Sequence, residues 1–349
     1  MIRRRTRRSR WGLTSLVTAS LLGPWLGALA AQTPSPSPAI APSGRTHLVV
    51  ITGASGEPGY GDAFNKAALA IVDAAHARFA IPDSDVTYLG EDPARAPGRI
   101  AGPSTREGVE RALGRVAARA GAGDQVWIVL IGHGSGEGAA SRFNLPGPDL
   151  AAADFARLLA PLSRQQVAFV DASSASGDFV RTLAGPNRAI VTATRSATER
   201  NGTRFAKYFA DALSTPGADV DKDGAVSLLE AFAYAQRETA RAYESDNRLL
   251  TEHAQLDDDG DGVASMTPAA DAADGRLAAA MVLGGAGASS DPRVGALVVK
   301  RRALELQVAD LRRRRPTMDS TAYLQQLETV LVDLSRTAHT IRGIEGAKP

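Results

Sequence analysis

The chain contains no cysteine among its 349 residues, and this absence excludes several kinds of chemistry. The protein cannot form a disulfide, a thiolate metal site or a lipid-modified N-terminal cysteine, and it has no cysteine nucleophile. Aromatic residues are also scarce, at 5% of the chain, but hydrophobic residues reach 44% and charged residues 22%, which is typical of globular proteins. We therefore expect a folded protein whose chemistry does not depend on a thiol.

The N-terminus has the features of a signal peptide. The first ten residues carry six arginines and no acid, and a mostly apolar run over residues 11–31 follows. This run ends in Ala28-Leu29-Ala30, the small-x-small pattern that signal peptidase cleaves. We expect residues 1–31 to be removed near Ala30 or Ala31, which leaves an exported protein, periplasmic or secreted, with no stable membrane span. An uncleaved anchor helix is the alternative, although Pro, Gly and Ser residues weaken such a span.

The charge of the mature protein gives no support for nucleic-acid binding. The formal net charge of +2 minus the six N-terminal arginines gives −4. The basic isoelectric point of about 9.0 therefore belongs to the precursor. We expect no nucleic-acid partner.

Short, continuously apolar runs alternate with helical patterns from residue 46 onward. Such strands are buried on both faces, which predicts an α/β fold with a mainly parallel sheet and helices on both faces. The predicted strands are residues 47–52, 86–89, 125–131, 166–171 and 188–194, with 279–283 as a weaker sixth. The predicted helices are residues 61–80, 105–121, 151–160, 176–184 and 203–214. In such a sheet, functional residues follow the carboxyl ends of the strands.

Composition divides the chain into four segments. These are the signal peptide at 1–31, a Pro/Ser linker at 32–45, an α/β domain at 46–286 and a helical hairpin or short coiled coil at 287–349. In the last segment, apolar residues recur at helical spacing on both sides of Pro316, which ends the first helix. From Arg293 onward, eleven basic side chains stand against six acidic ones. This excess is either a solvated face or an interaction arm for a partner.

Residues 219–230 match the EF-hand calcium loop, an insertion in the α/β domain. Carboxylates at loop positions 1, 3 and 5 converge on one side of a tight turn, Gly224 permits the left-handed bend at position 6, and a Glu at position 12 supplies two oxygens. The predicted ligands are the side chains of Asp219, Asp221, Asp223, Ser227 and Glu230 and the carbonyl of Ala225. Calcium is the cofactor predicted, and an acidic turn without a metal is the alternative.

A second acidic run, residues 257–262, repeats the Asp-x-Asp-x-Asp-Gly spacing. Pro268 stands at the position where an EF-hand loop has its closing acid. The run is therefore either an incomplete second site or a solvated turn. Both interpretations remain open on sequence grounds.

Polar motifs follow two of the predicted strands. Strand 125–131 ends in Gly132-His133-Gly134-Ser135, and strand 166–171 ends in Asp171 and runs into Ala172-Ser173-Ser174-Ala175-Ser176-Gly177. Over about residues 46–285 this succession resembles the caspase-like peptidase fold shared by caspases, metacaspases and legumain. In that family a His-Gly pair follows one strand, and an acid-x-Cys-x-Ser-Gly segment follows the next. The resemblance implies that the histidine moves protons and the cysteine attacks the scissile carbonyl.

In this resemblance His133 matches the family histidine, and the cysteine position falls on Ser174 or, in the other register, Ser173. A serine hydroxyl needs a well-placed base and an orienting acid, which a site built for a thiol seldom offers. The resemblance therefore implies a catalytically inactive homologue that acts as a binding or scaffold module for an unknown protein or peptide partner. A serine-dependent peptidase using these residues is the alternative. Both motifs could also be structural turns, with Ser174 or Ser176 as a helix N-cap.

A glycine-rich segment, residues 52–59, suggests a second alternative. It resembles the phosphate loop of nucleotide-dependent reductases, in which glycines let the backbone approach a pyrophosphate at a helix start. Against an exported reductase, the following helix is expected to begin only after Gly61, and no Tyr-x-x-x-Lys pair follows. An open cleft over this segment would favour the reductase.

Overall fold

The computed structural model describes residues 44–222, 224–284 and 292–345. The predicted signal peptide, most of the predicted linker and the predicted ligand Asp223 lie outside these residues. Within the described ranges, no helix is both long enough and apolar enough to cross a membrane.

Ten strands in the described part of the chain form two sheets. They are β1 (Thr46–Thr52), β2 (Val86–Gly90), β3 (Gly102–Pro103), β4 (Gln125–Ile131), β5 (Gly134–Ser135), β6 (Arg142–Phe143), β7 (Leu150–Ala151), β8 (Gln166–Asp171), β9 (Arg188–Thr192) and β10 (Gln255–Asp257). The main sheet has seven strands in the order β10-β9-β8-β4-β1-β2-β3. All its neighbours pair in parallel except β10 with β9. Strands β5, β6 and β7 form a small antiparallel sheet.

The described residues also form helices α1 to α9. Their bounds are α1 (Pro58–Ala77), α2 (Arg106–Arg119), α3 (Ala152–Leu159), α4 (Phe179–Leu183), α5 (Phe205–Ser214), α6 (Leu228–Ser245), α7 (Arg276–Ala280), α8 (Pro292–Arg314) and α9 (Ser320–Glu345). Helices α8 and α9 pack against each other. The division of the chain at residue 286 stays a prediction.

Both faces of the main sheet are covered, and each has its own core. Successive side chains of a strand point to opposite faces, so Leu48 and Val50 pack on the side of α1, α5 and α6, whereas Val49 and Ile51 pack on the side of α2, α3 and α4. Burial on both faces explains why the strands are continuously apolar, since each buried Val, Leu or Ile contributes about 1.5–3 kcal/mol. The predicted α/β fold with a mainly parallel sheet is confirmed.

The prediction of a sixth strand at residues 279–283 is wrong. Helix α7 covers the start of that segment, and Val282 forms only an isolated bridge with Ser227. The sheet instead has β10 as its edge strand beside β9. Strand β10 pairs antiparallel with β9 and is three residues long. A strand this short has too few residues to show periodicity in the sequence.

The start of α1 also differs from the prediction. The helix begins at Pro58, with Glu57 as its N-cap, and not after Gly61. A proline at the first helical position is favourable because its fixed φ suits the helix and its missing N–H would have no helical partner there. The glycine-rich segment therefore leads directly into the helix.

Candidate functional site

The two polar motifs lie side by side at the carboxyl ends of β4 and β8. These strands are parallel neighbours, with Leu130 opposite Asp171 in the register. The backbone N–H of Gly134 donates to Ser174 Oγ at 3.3 Å. A Cβ placed on Gly134 would lie 2.3 Å from the Ser174 carbonyl oxygen and 3.0 Å from Ser173 Oγ. The fold thus brings the His133 segment into direct contact with the serine segment.

Aromatic rings from α1 cover the imidazole of His133. The ring centroid of Tyr60 lies 4.6 Å away and that of Phe64 5.3 Å away, both in edge-on arrangements. Burial lowers the pKa of His133 below its usual range, while a hydrogen bond to the Ser55 backbone and the charge of Glu57 act in the opposite direction. Burial of the ring therefore favours the neutral form of the imidazole. In the sequence, only the i, i+4 spacing of Tyr60 and Phe64 on α1 indicates that their two rings lie on one face of the helix and can cover the same neighbour.

Ser173 is hydrogen-bonded to a buried carboxylate and not to the histidine. Its Oγ donates to Asp171 Oδ1 at 2.6 Å, and its backbone N–H donates to the same oxygen at 3.0 Å. Within the described residues, Asp171 Oδ2 has no hydrogen-bond partner. Burial raises the pKa of Asp171 to about 6, although the two bonds from Ser173 act to lower it. The hydroxyl proton of Ser173 is thus held by Asp171.

Neither serine is accessible to a substrate in this conformation. Ser173 is 0% exposed and Ser174 is 1% exposed. Ala175, which follows them, has a left-handed φ of 54°, a strained value for a residue with a Cβ. A Cβ added to Gly177 would lie 2.2 Å from the Arg195 backbone, so the segment is closely packed. A nucleophile here could reach a carbonyl carbon only if the segment moved.

The interpretation of Ser174 or Ser176 as a helix N-cap is wrong. Helix α4 has Asp178 at its N-cap position. Ser176 instead binds Thr194, two residues after the end of β9: its backbone N–H donates to Thr194 Oγ1 at 2.8 Å, and the two hydroxyl oxygens lie 3.1 Å apart. These bonds fix the serine segment to the neighbouring strand.

The predicted calcium loop brings three of its acids together. Carboxylate oxygens of Asp219, Asp221 and Glu230 lie within 4.8 Å of one another. Gly224 donates its N–H to Asp219 Oδ2 at 2.9 Å, and its φ of 84° is left-handed, as position 6 requires. Lys222, at position 4, also has a left-handed φ, of 58°. Hard oxygen donors converging in this way fit calcium.

The closing acid Glu230 is tied to both ends of this loop. Its Oε1 accepts the backbone N–H groups of Val220 at 2.9 Å and Asp221 at 3.4 Å, which are loop positions 2 and 3. Its Oε2 accepts the N–H and hydroxyl of Ser227 at 2.9 and 2.8 Å. Ser227 Oγ in turn accepts the Glu230 N–H at 3.2 Å, a capping box at the start of α6. Ser227, a predicted ligand, therefore also serves as the N-cap.

The glycine-rich segment after β1 has features that do not suit a pyrophosphate. The Ser55 N–H donates to Glu91 Oε2 at 3.2 Å, so a carboxylate already occupies that donor. A Cβ on Gly53 would lie 2.4 Å from the Asn144 carbonyl oxygen. The cavity beside Gly53 measures about 10 Å³, which is room for about one water molecule. These observations do not favour the reductase alternative.

A larger cavity, of about 250 Å³, lies between the end of β9 and α6. Its lining includes Glu252, His253 and Met266. Burial raises the pKa of Glu252, although hydrogen bonds from the Arg204 and Phe205 backbone act against this. No motif indicated this cavity, because its lining residues come from separate segments of the chain.

Comparisons with known proteins give a weak likeness. No protein-family model matches the chain. No curated protein matches it either. Among solved structures, the chain is similar to that of drICE, a caspase, with 9% identity and a TM-score of 0.34, over 59% of this chain and 86% of that one. At this identity and score the likeness does not assign a family.

Proposed function

We propose that this chain is an exported calcium-binding protein with a caspase-like domain, a catalytically inactive peptidase homologue that acts as a binding or scaffold module. The observation that carries the proposal is the loop at residues 219–230. Its acids at positions 1, 3 and 12 converge within 4.8 Å, in a backbone that has the left-handed residues of an EF-hand loop. The ligands are Asp219, Asp221, Asp223, Ala225, Ser227 and Glu230.

The strength of such a site fits an exported protein. A single EF-hand loop in an extracellular module binds calcium with Kd about 10⁻⁴–10⁻³ M. A site of this strength fills only where free calcium is of the same order, as it is outside the cytoplasm. The Arg-rich start and the Ala28-Leu29-Ala30 pattern support the same compartment.

The hydrogen bonds at the strand ends support the absence of catalysis. A serine nucleophile must pass its proton to a base as it attacks. Ser173 instead donates to Asp171, and Ser174 Oγ accepts from Gly134. The fold keeps the histidine and serine segments adjacent but buries both hydroxyls.

Two measurements on the purified mature protein test this function. Calorimetric titration with CaCl₂ should give binding heat, and Glu230→Gln should lose most of the heat of that site. A survey with peptide and ester substrates, with and without calcium, should give no turnover. Turnover that disappears in Ser174→Ala or Ser173→Ala would establish the serine-dependent peptidase instead.

A further inference from the structure

The acidic run at residues 257–262 has the same backbone arrangement as the first loop. Gly262 donates its N–H to Asp257 Oδ2 at 2.7 Å, as Gly224 does to Asp219. Its φ is 79°, and Gly260, two residues earlier, has a φ of 84°. Positions 4 and 6 are therefore left-handed in both loops. Carboxylate oxygens of Asp257, Asp259 and Asp261 lie within 4.8 Å of one another.

The closing acid that seemed to be missing from this run comes from farther along the chain. Asp274 Oδ1 accepts the backbone N–H of Asp258 at 3.0 Å. This donor stands at loop position 2, one of the two positions whose N–H groups bind Glu230 in the first loop. Asp274 thus stands beside the start of the second loop as Glu230 stands beside the start of the first, although it lies 17 residues after Asp257 and outside the group of carboxylate oxygens within 4.8 Å.

A buried oxygen at the first position provides an independent sign of a ligand. Asp257 is 0% exposed, and its Oδ1 has no hydrogen-bond partner among the described residues. Its other oxygen is held by Gly262, so the carboxylate is oriented within the loop and faces Asp259 and Asp261. A buried acceptor without a partner is unfavourable, and more so when it is charged. A bound cation removes that cost.

The adjacent acid Asp258 is bound elsewhere. Its two oxygens accept the N–H groups of Gly275 at 2.8 Å and Ala278 at 2.7 Å, at the start of α7. It therefore leaves the cluster to the acids at positions 1, 3 and 5, with Asp274 beside it. Within the described residues, no ion pair joins these four carboxylates to an arginine or lysine. Like charges that converge without a cation repel one another.

We propose that Asp257, Asp259, Asp261 and Asp274 form a second calcium site. The inference goes beyond the proposed function, because it does not depend on the first loop. Carboxylate oxygens fit calcium, which accepts six to eight oxygens at varied angles. Strand β10 and helix α7 place the ligands, since Asp257 ends the strand and Asp274 precedes the helix.

The test is the number of calcium ions bound per chain, measured by equilibrium dialysis of the mature protein. The wild type should bind two. Asp274→Asn should bind one, because the asparagine oxygen can still accept the Asp258 N–H while the charge is lost. Asp261→Asn, at an exposed side chain, should also bind one even if the first variant fails to fold. Asp271→Asn, an exposed acid outside the cluster, is the matched control and should bind two.

Glu230→Gln separates the two sites. It should bind one ion, and its combination with Asp261→Asn should bind none. A wild type that binds one ion, lost in Glu230→Gln, would overturn the second site and leave the first intact. A wild type that binds one ion, lost in Asp261→Asn and kept in Glu230→Gln, would support the second site and refute the first. Two ions bound by Asp261→Asn would also overturn the proposal.

Discussion

Relative to the wild type, Asp171→Asn should gain stability as the pH rises from acid to neutral. Burial raises the pKa of Asp171 to about 6, from an ordinary value of 3.8. A difference of about 2.2 in pKa corresponds to about 3 kcal/mol, at 1.36 kcal/mol for each pKa unit. The buried charge therefore lowers the free energy of unfolding by about that amount once it is fully formed.

The sign of the pH dependence follows from proton binding. The folded state holds this proton more tightly than the unfolded chain, so its contribution to stability is fully present below about pH 4 and is lost as pH rises through 6. In Asp171→Asn this loss does not occur, because the amide does not titrate. The asparagine oxygen keeps the two bonds from Ser173, and its amino group stands where Oδ2 lacked a partner. Any penalty from that amino group is constant with pH.

The assay is urea unfolding of both proteins at pH 4, 5, 6 and 7 in the same calcium concentration. The difference in free energy of unfolding, variant minus wild type, should rise by about 2 kcal/mol from pH 4 to pH 7, because part of the total change has already occurred at pH 4. Other buried acids cancel in this difference. Asp271→Asn, at an exposed side chain, is the control and should give a flat difference. A flat difference for Asp171→Asn would refute the buried charge at the end of β8.

Three further predictions concern calcium, access and export. Calcium at a hundredfold excess over the Kd of the first site should raise the free energy of unfolding by about 2.7 kcal/mol, which corresponds to a rise of about 5–10 °C in the melting midpoint. Glu230→Gln should remove this increase. Because the chain has no cysteine, a single introduced cysteine reports on one position. Ser174→Cys should react with a thiol reagent roughly 100-fold more slowly than the exposed control Thr198→Cys, because the buried serine segment must first open locally, at a free-energy cost of about 3 kcal/mol. N-terminal sequencing of the exported protein should begin at Ala31 or Gln32.

Each of these predictions has an opposing result. A melting midpoint that is the same in calcium and in chelator would leave residues 219–230 as an acidic turn. Equal labelling of the two cysteine variants would show that the serine segment opens readily, which would revive the serine-dependent peptidase. An intact Met1 on a membrane-bound protein would indicate an anchor helix.

The main sheet was predictable because its signal is local and repeated. Each parallel strand is buried on both faces, so runs such as Gln125–Ile131 are continuously apolar and stand out from the amphipathic helices. The antiparallel edge strand β10 was not predictable, since its three residues show no period. Residues 279–283 are as apolar as a strand, but α7 and an isolated bridge account for them.

Proximity at the strand ends was predictable, but the state of the side chains was not. Parallel neighbours end at the same edge of a sheet, so the order of the motifs already placed His133 near the serine segment. The bond from Ser173 to Asp171 and the cover of Tyr60 depend on rotamers and on packing between distant segments. The EF-hand pattern at residues 219–230 could be recognised because its acids fall within twelve residues. In the second acidic run, the acid that binds the N–H of Asp258 comes from 16 residues farther along the chain.

The positions of the two loops indicate what calcium would do in this fold. Asp258, in the second loop, binds the N-terminal end of α7 through Gly275 and Ala278. The first loop runs into the start of α6, where Leu228 donates its N–H to the carbonyl of Met281 at 2.8 Å. Met281 lies at the C-terminal end of α7. Calcium in both loops would therefore hold α7 at its two ends, between α6 and the edge strand β10. These contacts belong to α7 and not to the ends of β4 and β8, so calcium bound in the two loops would stabilise this edge of the fold and would leave the strand ends unchanged.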